Sequence, residues 1–271
     1  MHISVVIPSR NEKYLYRTIK DILSKHKEDI EVIAVLDGYW PKEEEIIMDK
    51  RVIYVNKGKP QGMREAINSG VAIARGKYIL KTDAHCMFAD GFDTELLKNM
   101  KDNWVSVPRR YPLDPEKWEI ESRKDDKYPI DYMYLTKDLH GEVWHDKNND
   151  PKLKEKMIDD LMSSQGSCWF MTKDYFNFLE LEDRENYGEF ASEFQEIGFK
   201  CWLSGGRVII NKNTWYAHWH KTEGRGYNFA SPAFDIAQAY VERWRNEKVW
   251  SKQILPFQSM IDRFMPIPTW I

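Results

Sequence analysis

Residues 62–85 read Gly62-Met63-Arg64-Glu65-Ala66-Ile67-Asn68-Ser69-Gly70-Val71-Ala72-Ile73-Ala74-Arg75-Gly76-Lys77-Tyr78-Ile79-Leu80-Lys81-Thr82-Asp83-Ala84-His85, and the apolar period changes once along them. Met63, Ala66, Ile67, Gly70, Ile73 and Ala74 recur at three- and four-residue steps, the stripe of one helix face. From Tyr78 that period is lost, and Tyr78-Ile79-Leu80 is a continuous apolar run, as in a strand buried on both faces. The strand delivers Lys81-Thr82-Asp83-Ala84-His85-Cys86 onto a loop. In extended chain residues i and i+2 point the same way, so Asp83 and His85 face one point. A carboxylate and an imidazole together suit a divalent cation of intermediate hardness such as Mn²⁺. Taken alone, an Asp-x-His is more often a polar pair closing a strand end.

Outward from this stretch the alternation of periods continues. Ile3 to Ile7, Val32 to Leu36 and Val52 to Val55 are short β-branched runs that read as buried strands. Leu15, Ile19, Ile22 and Leu23 mark one face of a helix that starts after Asn11. Strands alternating with helices at this spacing predict a doubly wound α/β sheet with right-handed crossovers. Ligands of such sheets sit beyond the carboxyl ends of the strands, here Pro8 to Glu12, Asp37 to Gly38 and Asp83 to His85. After an expected strand at Trp104 to Val107, residues 108–150 carry Pro108, Pro112, Pro115 and Pro129 and no sustained period. A stretch of that length inside a compact protein reads as a flexible loop or lid, anchored by Trp144 and His145. Pattern returns with a strand at Ser167 to Met171, then helices from Lys173, from Glu189 to Phe199, and from Pro232 to Lys248.

Composition narrows the classes. The 271 residues are 42% hydrophobic and 31% charged, enough apolar material for a proper core. Lys plus Arg is 40 against 43 for Asp plus Glu, so no whole-chain basic signature of a nucleic-acid binder exists, although a local basic groove is compatible. No apolar run approaches the roughly 18 residues that span a bilayer, and the N-terminus has no signal-peptide pattern. The three cysteines, Cys86, Cys168 and Cys201, are odd in number and far apart, which fits a reducing compartment and predicts a cytoplasmic location, host cytoplasm if the source is viral.

The stretch from Gly62 to Asp83 resembles the hallmark of GT-A glycosyltransferases of the family 2 type, in which a Gly-x-x-x-Ala-x-Asn-x-Gly helix leads to an Ala-x-Gly-x-Tyr-Ile strand and an Asp-x-Asp metal motif. Ser4-Val5-Val6-Ile7-Pro8-Ser9-Arg10-Asn11-Glu12 is similar to that family's first strand and turn, and Val35-Leu36-Asp37-Gly38 to its second. His85 replaces the second aspartate, which resembles the Asp-x-His of the polypeptide N-acetylgalactosaminyltransferases. Gln165 to Met171, Ser192 to Trp202 and Tyr216 to Lys221 are similar to later motifs of those enzymes, although Ser192 and Phe194 replace the Gly and Asn of a Gly-Glu-Asn box and leave the donor sugar open.

The resemblance implies a GT-A fold: a Rossmann-like, mostly parallel central sheet flanked by helices in a single compact domain. Residues 1–107 would form the nucleotide-sugar-binding half, 108–150 the lid, and 151–271 the sugar- and acceptor-binding half. It implies a metal site of Asp83, His85 and His218 holding Mn²⁺ or Mg²⁺, with His220 a weaker candidate. Donor contacts are expected at Pro8, Arg10, Asn11, Glu12, Asp37, Gly62, Arg64, Thr82, Asp83, Ala84 and Trp169. Among these, Asp37 would accept from a uracil N3–H, Glu12 or Asn11 would reach the ribose, and Arg64 the base or diphosphate. Glu193 and Glu196 fall at i and i+3 on one helix face and, with Glu189, are the candidates for catalytic contact with the sugar or acceptor hydroxyl; a solvated acidic face is the alternative. Arg109, Arg110 and Arg225 are candidate phosphate contacts. The expected partner is a nucleotide sugar, UDP-linked; the reaction retains anomeric configuration if it follows the polypeptide N-acetylgalactosaminyltransferases, the favoured reading, and inverts it, with Glu193 or Glu189 as general base, if it follows the wider family 2. The acceptor is open among hydroxymethylpyrimidines of phage DNA, a glycan and a protein. A non-catalytic nucleotide-sugar-binding module is the rival reading.

Overall fold

The structure, a computed structural model, describes residues 2–122, 129–221 and 232–270. In chain order its elements are β1 (Ile3–Ser9), α1 (Leu15–Lys25), β2 (Ile30–Leu36), β3 (Val52–Asn56), α2 (Met63–Ile73), β4 (Tyr78–Thr82), β5 (Cys86–Phe88), α3 (Phe92–Leu97), β6 (Trp104–Asp114), β7 (Glu119–Ile120), β8 (Met133–Leu135), β9 (Gly141–Val143), α4 (His145–Asn149), α5 (Pro151–Glu155), β10 (Ile158–Asp160), β11 (Cys168–Thr172), α6 (Lys173–Leu179), α7 (Arg184–Tyr187), α8 (Glu193–Leu203), β12 (Arg207–His218), α9 (Pro232–Arg243) and α10 (Phe257–Phe264).

The β-branched runs build the sheet. β4, β1, β2 and β3 lie side by side and parallel, joined through α1 and α2, and the full order is β10-β12-β6-β11-β4-β1-β2-β3. The sheet is mixed: β11 runs antiparallel between β4 and β6, while β12 runs parallel to β6. Alternation along β1 assigns its two faces. Val6 enters one core with Val35, Ile67, Trp169, Phe199 and Trp244; Ile3, Val5 and Ile7 enter the other with Ile19, Ile22, Phe88 and Phe92. Helices thus cover both faces, which is why these strands read as continuous apolar runs. At Gly70 a Cβ would stand 2.5 Å from Val6 Cγ1, so α2 lies on the sheet at a distance only glycine permits.

Element boundaries differ from the sequence reading in two helices. The helix expected from Glu189 begins at Glu193, because Ser192 adopts the left-handed conformation (φ 59°) and interrupts the chain there. The last expected helix ends at Arg243 rather than Lys248.

The larger correction concerns residues 108–150. β6 continues through Pro108 and Pro112 to Asp114, pairing with β12 as far as Pro112 and with β7 at Leu113 and Asp114. The segment from Ile130 onward carries the β8–β9 hairpin and α4. Trp144 is only 4% exposed, meets Tyr134 edge-on at 5.6 Å between ring centres, and carries the Lys147 ammonium 3.9 Å above its ring. It is a core residue, not an anchor above a ligand. Its neighbours in sequence are distributed over pieces too short to display a period, so the segment reads as patternless although most of its tyrosines and leucines are buried. Trp144→Ala should lower unfolding free energy by about 3–5 kcal/mol, the usual cost of truncating a buried large aromatic, measured by chemical denaturation.

Candidate active site

β1, β2 and β4 end at Ser9, Leu36 and Thr82, and the antiparallel β11 begins on the same side, so four loops meet beyond one edge of the sheet. Between them lies a cleft of about 700 Å³, walled by Pro8, Arg10, Asp37, Ala84, Gln165 and Glu193 among others. His218 reaches it from far along the chain: the end of β12 lies between β6, parallel, and β5, antiparallel, which sets His218 opposite Cys86, one residue from His85.

Asp83, His85 and His218 present ligand atoms that all lie within 4.8 Å of one another. His218 Nε2 is 3.2 Å from Asp83 Oδ2 and 3.1 Å from His85 Nε2. On its far side His85 Nδ1 lies 3.1 Å from Glu12 Oε2, and the carboxylate selects the tautomer that donates there and turns the Nε2 lone pair toward the other two. Lys221 Nζ donates to the second oxygen of Glu12. Burial pushes the His218 imidazole down to about 3, so it stands neutral at neutral pH. Burial would raise Asp83, but the Lys81 ammonium and the His218 hydrogen bond overcome it and hold the carboxyl well below its ordinary value. One carboxylate and two imidazoles converging on one point fit a divalent cation, and the fit extends to the carboxylate behind His85.

Several expected donor contacts are placed otherwise. Arg64 has no exposure; its guanidinium donates to Glu196, to Glu182 Oε2 at 3.3 Å and to the Ala191 carbonyl at 2.8 Å, and stacks 4.9 Å over Tyr187. It is a structural cation, not a nucleotide contact. Glu196 is likewise fully buried, between Arg64 and Lys200 Nζ at 2.7 Å, and is out of reach of a substrate. Thr82 turns to the opposite core beside the Cys86 and Cys168 thiols. Trp169 is fully buried and donates its indole N–H to Glu193 Oε1 at 2.7 Å. Asn11 is exposed in the left-handed turn after β1, and Glu189 stands exposed with its Cβ against Gly62. Asp37 does line the cleft, and its two oxygens accept from the Gln61 and Gly62 amides at 2.6 and 3.0 Å. Arg109 is paired with Asp131 at 2.7 Å, and Arg225 lies outside the described residues. His220 stands edge-on to His218, 4.8 Å between ring centres.

Glu193 keeps its place in the cleft wall, and burial raises its pKa against the pull of Lys81. Lys81 is the residue that the motif comparison passed over. A lysine closing an apolar strand two places before Asp83 was the available signal, since a buried ammonium needs carboxylate partners. Trp219, His140 and Phe234 also line the cleft, brought there by segments remote in sequence.

Arg64→Met should lower unfolding free energy by about 3–5 kcal/mol, because it leaves the buried Glu196 and Glu182 without their cation. Binding of UDP to the folded variant, followed by calorimetry, should stay within about threefold of the parent, roughly 0.7 kcal/mol.

The Glycosyl transferase family 2 model matches residues 4–177 of this chain. The glycosyltransferase GlyG of Streptococcus pneumoniae serotype 4 is 27% identical over 175 residues, covering 62% of this chain and 51% of the relative. Polypeptide N-acetylgalactosaminyltransferase 5 of Caenorhabditis elegans is 25% identical over 229 residues, 76% of this chain and 35% of the relative. The chain therefore spans about half or less of these curated relatives. In fold it is similar to the crystal structure of GalNAc-T7 with UDP, GalNAc and Mn²⁺, with a TM-score of 0.76 at 19% identity over 91% of this chain and 48% of the other.

Proposed function

Because the chain belongs to glycosyl transferase family 2, we propose that it moves a sugar from a UDP-linked donor to a hydroxyl acceptor in a reaction that requires a divalent cation. The observation that carries this reading is the convergence of Asp83, His85 and His218 at the floor of the cleft, beyond the carboxyl end of β4. When bound, Mn²⁺ or Mg²⁺ supplies Lewis-acid neutralisation of the diphosphate leaving group. Those three side chains would hold it, and Glu12 orients His85 from behind.

In this reading the nucleoside lies along Pro8, Arg10 and Asp37. Each Asp37 oxygen spends one lone pair on a backbone amide and keeps another for a uracil N3–H. Glu193 contacts the sugar. Its oxygens already accept from Trp169 Nε1 and Lys81 Nζ, an arrangement that holds a carboxylate still and does not suit it to take a proton from the acceptor. That supports retention of configuration over inversion. At the mouth of the cleft the Phe190 and Phe234 rings, 6.0 Å apart, offer apolar faces to a sugar ring or a base of the acceptor.

The test is turnover of UDP-glucose, UDP-GlcNAc, UDP-GalNAc and GDP-mannose with Mn²⁺, first without acceptor and then with glycan, peptide and hydroxymethylated DNA. UDP release should exceed GDP release, vanish in excess EDTA, and fall about 100-fold or more in Asp83→Ala, which removes a ligand from the metal set. Full activity in EDTA, or preferred use of the guanosine donor, would overturn the proposal.

A further inference from the structure

A fully buried lysine costs several kcal/mol unless its charge and all three N–H donors are met. Lys81 meets that condition in one way: its ammonium donates to Asp83 Oδ1 at 2.9 Å, to Glu193 Oε2 at 3.2 Å and to the Gly166 carbonyl at 2.6 Å. Three donors serve three acceptors, and all three acceptors come from residues that line the cleft. The backbone makes room for the arrangement, since a Cβ on Gly166 would stand 2.2 Å from Glu193 Oε2.

Two consequences follow for the cation site, on the reading that Asp83 is a metal ligand. Lys81 engages Asp83 Oδ1, while Oδ2 is the oxygen that faces His218 and His85. The ammonium also sits one carboxylate away from that cation, where like charges repel. We propose that Lys81 is a positioning residue: it couples Asp83 to Glu193, fixes which Asp83 oxygen is turned toward the two histidines, and weakens the hold on the cation so that the metal–nucleotide product can leave. The same ammonium keeps the Glu193 carboxylate at a set height over Gly166, where it meets the sugar. A lysine whose role were only to fill space and support the fold would have the opposite effect on metal affinity, because its loss would loosen the site.

The experiment compares the parent with Lys81→Met and Lys81→Gln. Mn²⁺ affinity is measured without nucleotide from the electron paramagnetic resonance signal of free Mn²⁺, and kcat and donor KM are measured separately. Both variants should bind Mn²⁺ about three- to tenfold more tightly, since a cation beside the ligand carboxylate is gone. Transfer kcat should fall about 100-fold with donor KM within about threefold, as expected when a contact group loses its position rather than its identity. If Lys81→Met does not fold, Glu193→Gln and the Lys81→Met/Glu193→Gln pair make the same comparison with one fewer buried carboxylate. Unchanged or weaker Mn²⁺ binding in the folded variants, or kcat within threefold of the parent, would overturn the inference. A parent chain that binds no Mn²⁺ would instead overturn the metal reading itself, and this inference with it.

Discussion

The guanidinium of Arg64 has no contact with water, and a charge in that position must find its acceptors inside the protein. It finds them in Glu182, Ala191 and Glu196, all more than a hundred residues away in sequence. α2 belongs to the parallel half of the sheet, while α7, α8 and the turn between them belong to the other half, so this side chain, with Asn68 on Glu182 and Glu65 on Arg184, ties the two halves together. The consequence reaches the cleft directly. The Ala191 carbonyl is held by Arg64, Ser192 turns in the left-handed conformation just after it, and Glu193 opens α8 facing the cleft. The position of Glu193 thus depends on an ion cluster that never touches a ligand.

A second layer of buried charge does the same for the converging ligands. Glu12 stands behind His85 and is itself held by Lys221, while Lys81 stands behind Asp83. His85 and Asp83 therefore have their far atoms engaged, which removes rotamer freedom before any ligand arrives. A glycosyl transfer needs such order: the diphosphate, the anomeric carbon and the acceptor oxygen must be held in a fixed mutual geometry, and misplacement by about 1 Å costs orders of magnitude in rate.

Much of the fold was legible because its cause is local. The stripe Met63, Ala66, Ile67, Gly70 can lie on a sheet in only one orientation, and the β-branched runs at Ile3, Val32 and Val52 can be solvated on neither face, so α2 and the parallel strands follow from period alone. Residues 108–150 were misread for the complementary reason. Their order comes from pairing with β12, a hundred residues on, and from burial of single aromatics such as Tyr134 and Trp144 in separate short pieces. No local period records that.

The site divides along the same line. By itself the sequence determined that an acidic residue and a histidine, Asp83 and His85, leave one strand end together on a short loop, and the turn at Ala84 and His85 brings them to one point. The resemblance of its motifs named the family and nominated His218. Only the tertiary structure decided which charged groups face a ligand and which are spent on the protein. Arg64, Glu196 and Glu193 are indistinguishable as sequence: each is a charged residue on an amphipathic helix. Burial separates them, because a charge removed from water must be paired at once with whatever the opposing element offers. Arg64 and Glu196 meet each other across the interface of two halves, whereas Glu193, one helical turn earlier, meets Lys81 at the edge of the cleft. That pairing is set by helix-on-sheet packing between distant segments, and no reading of spacing along the chain contains it.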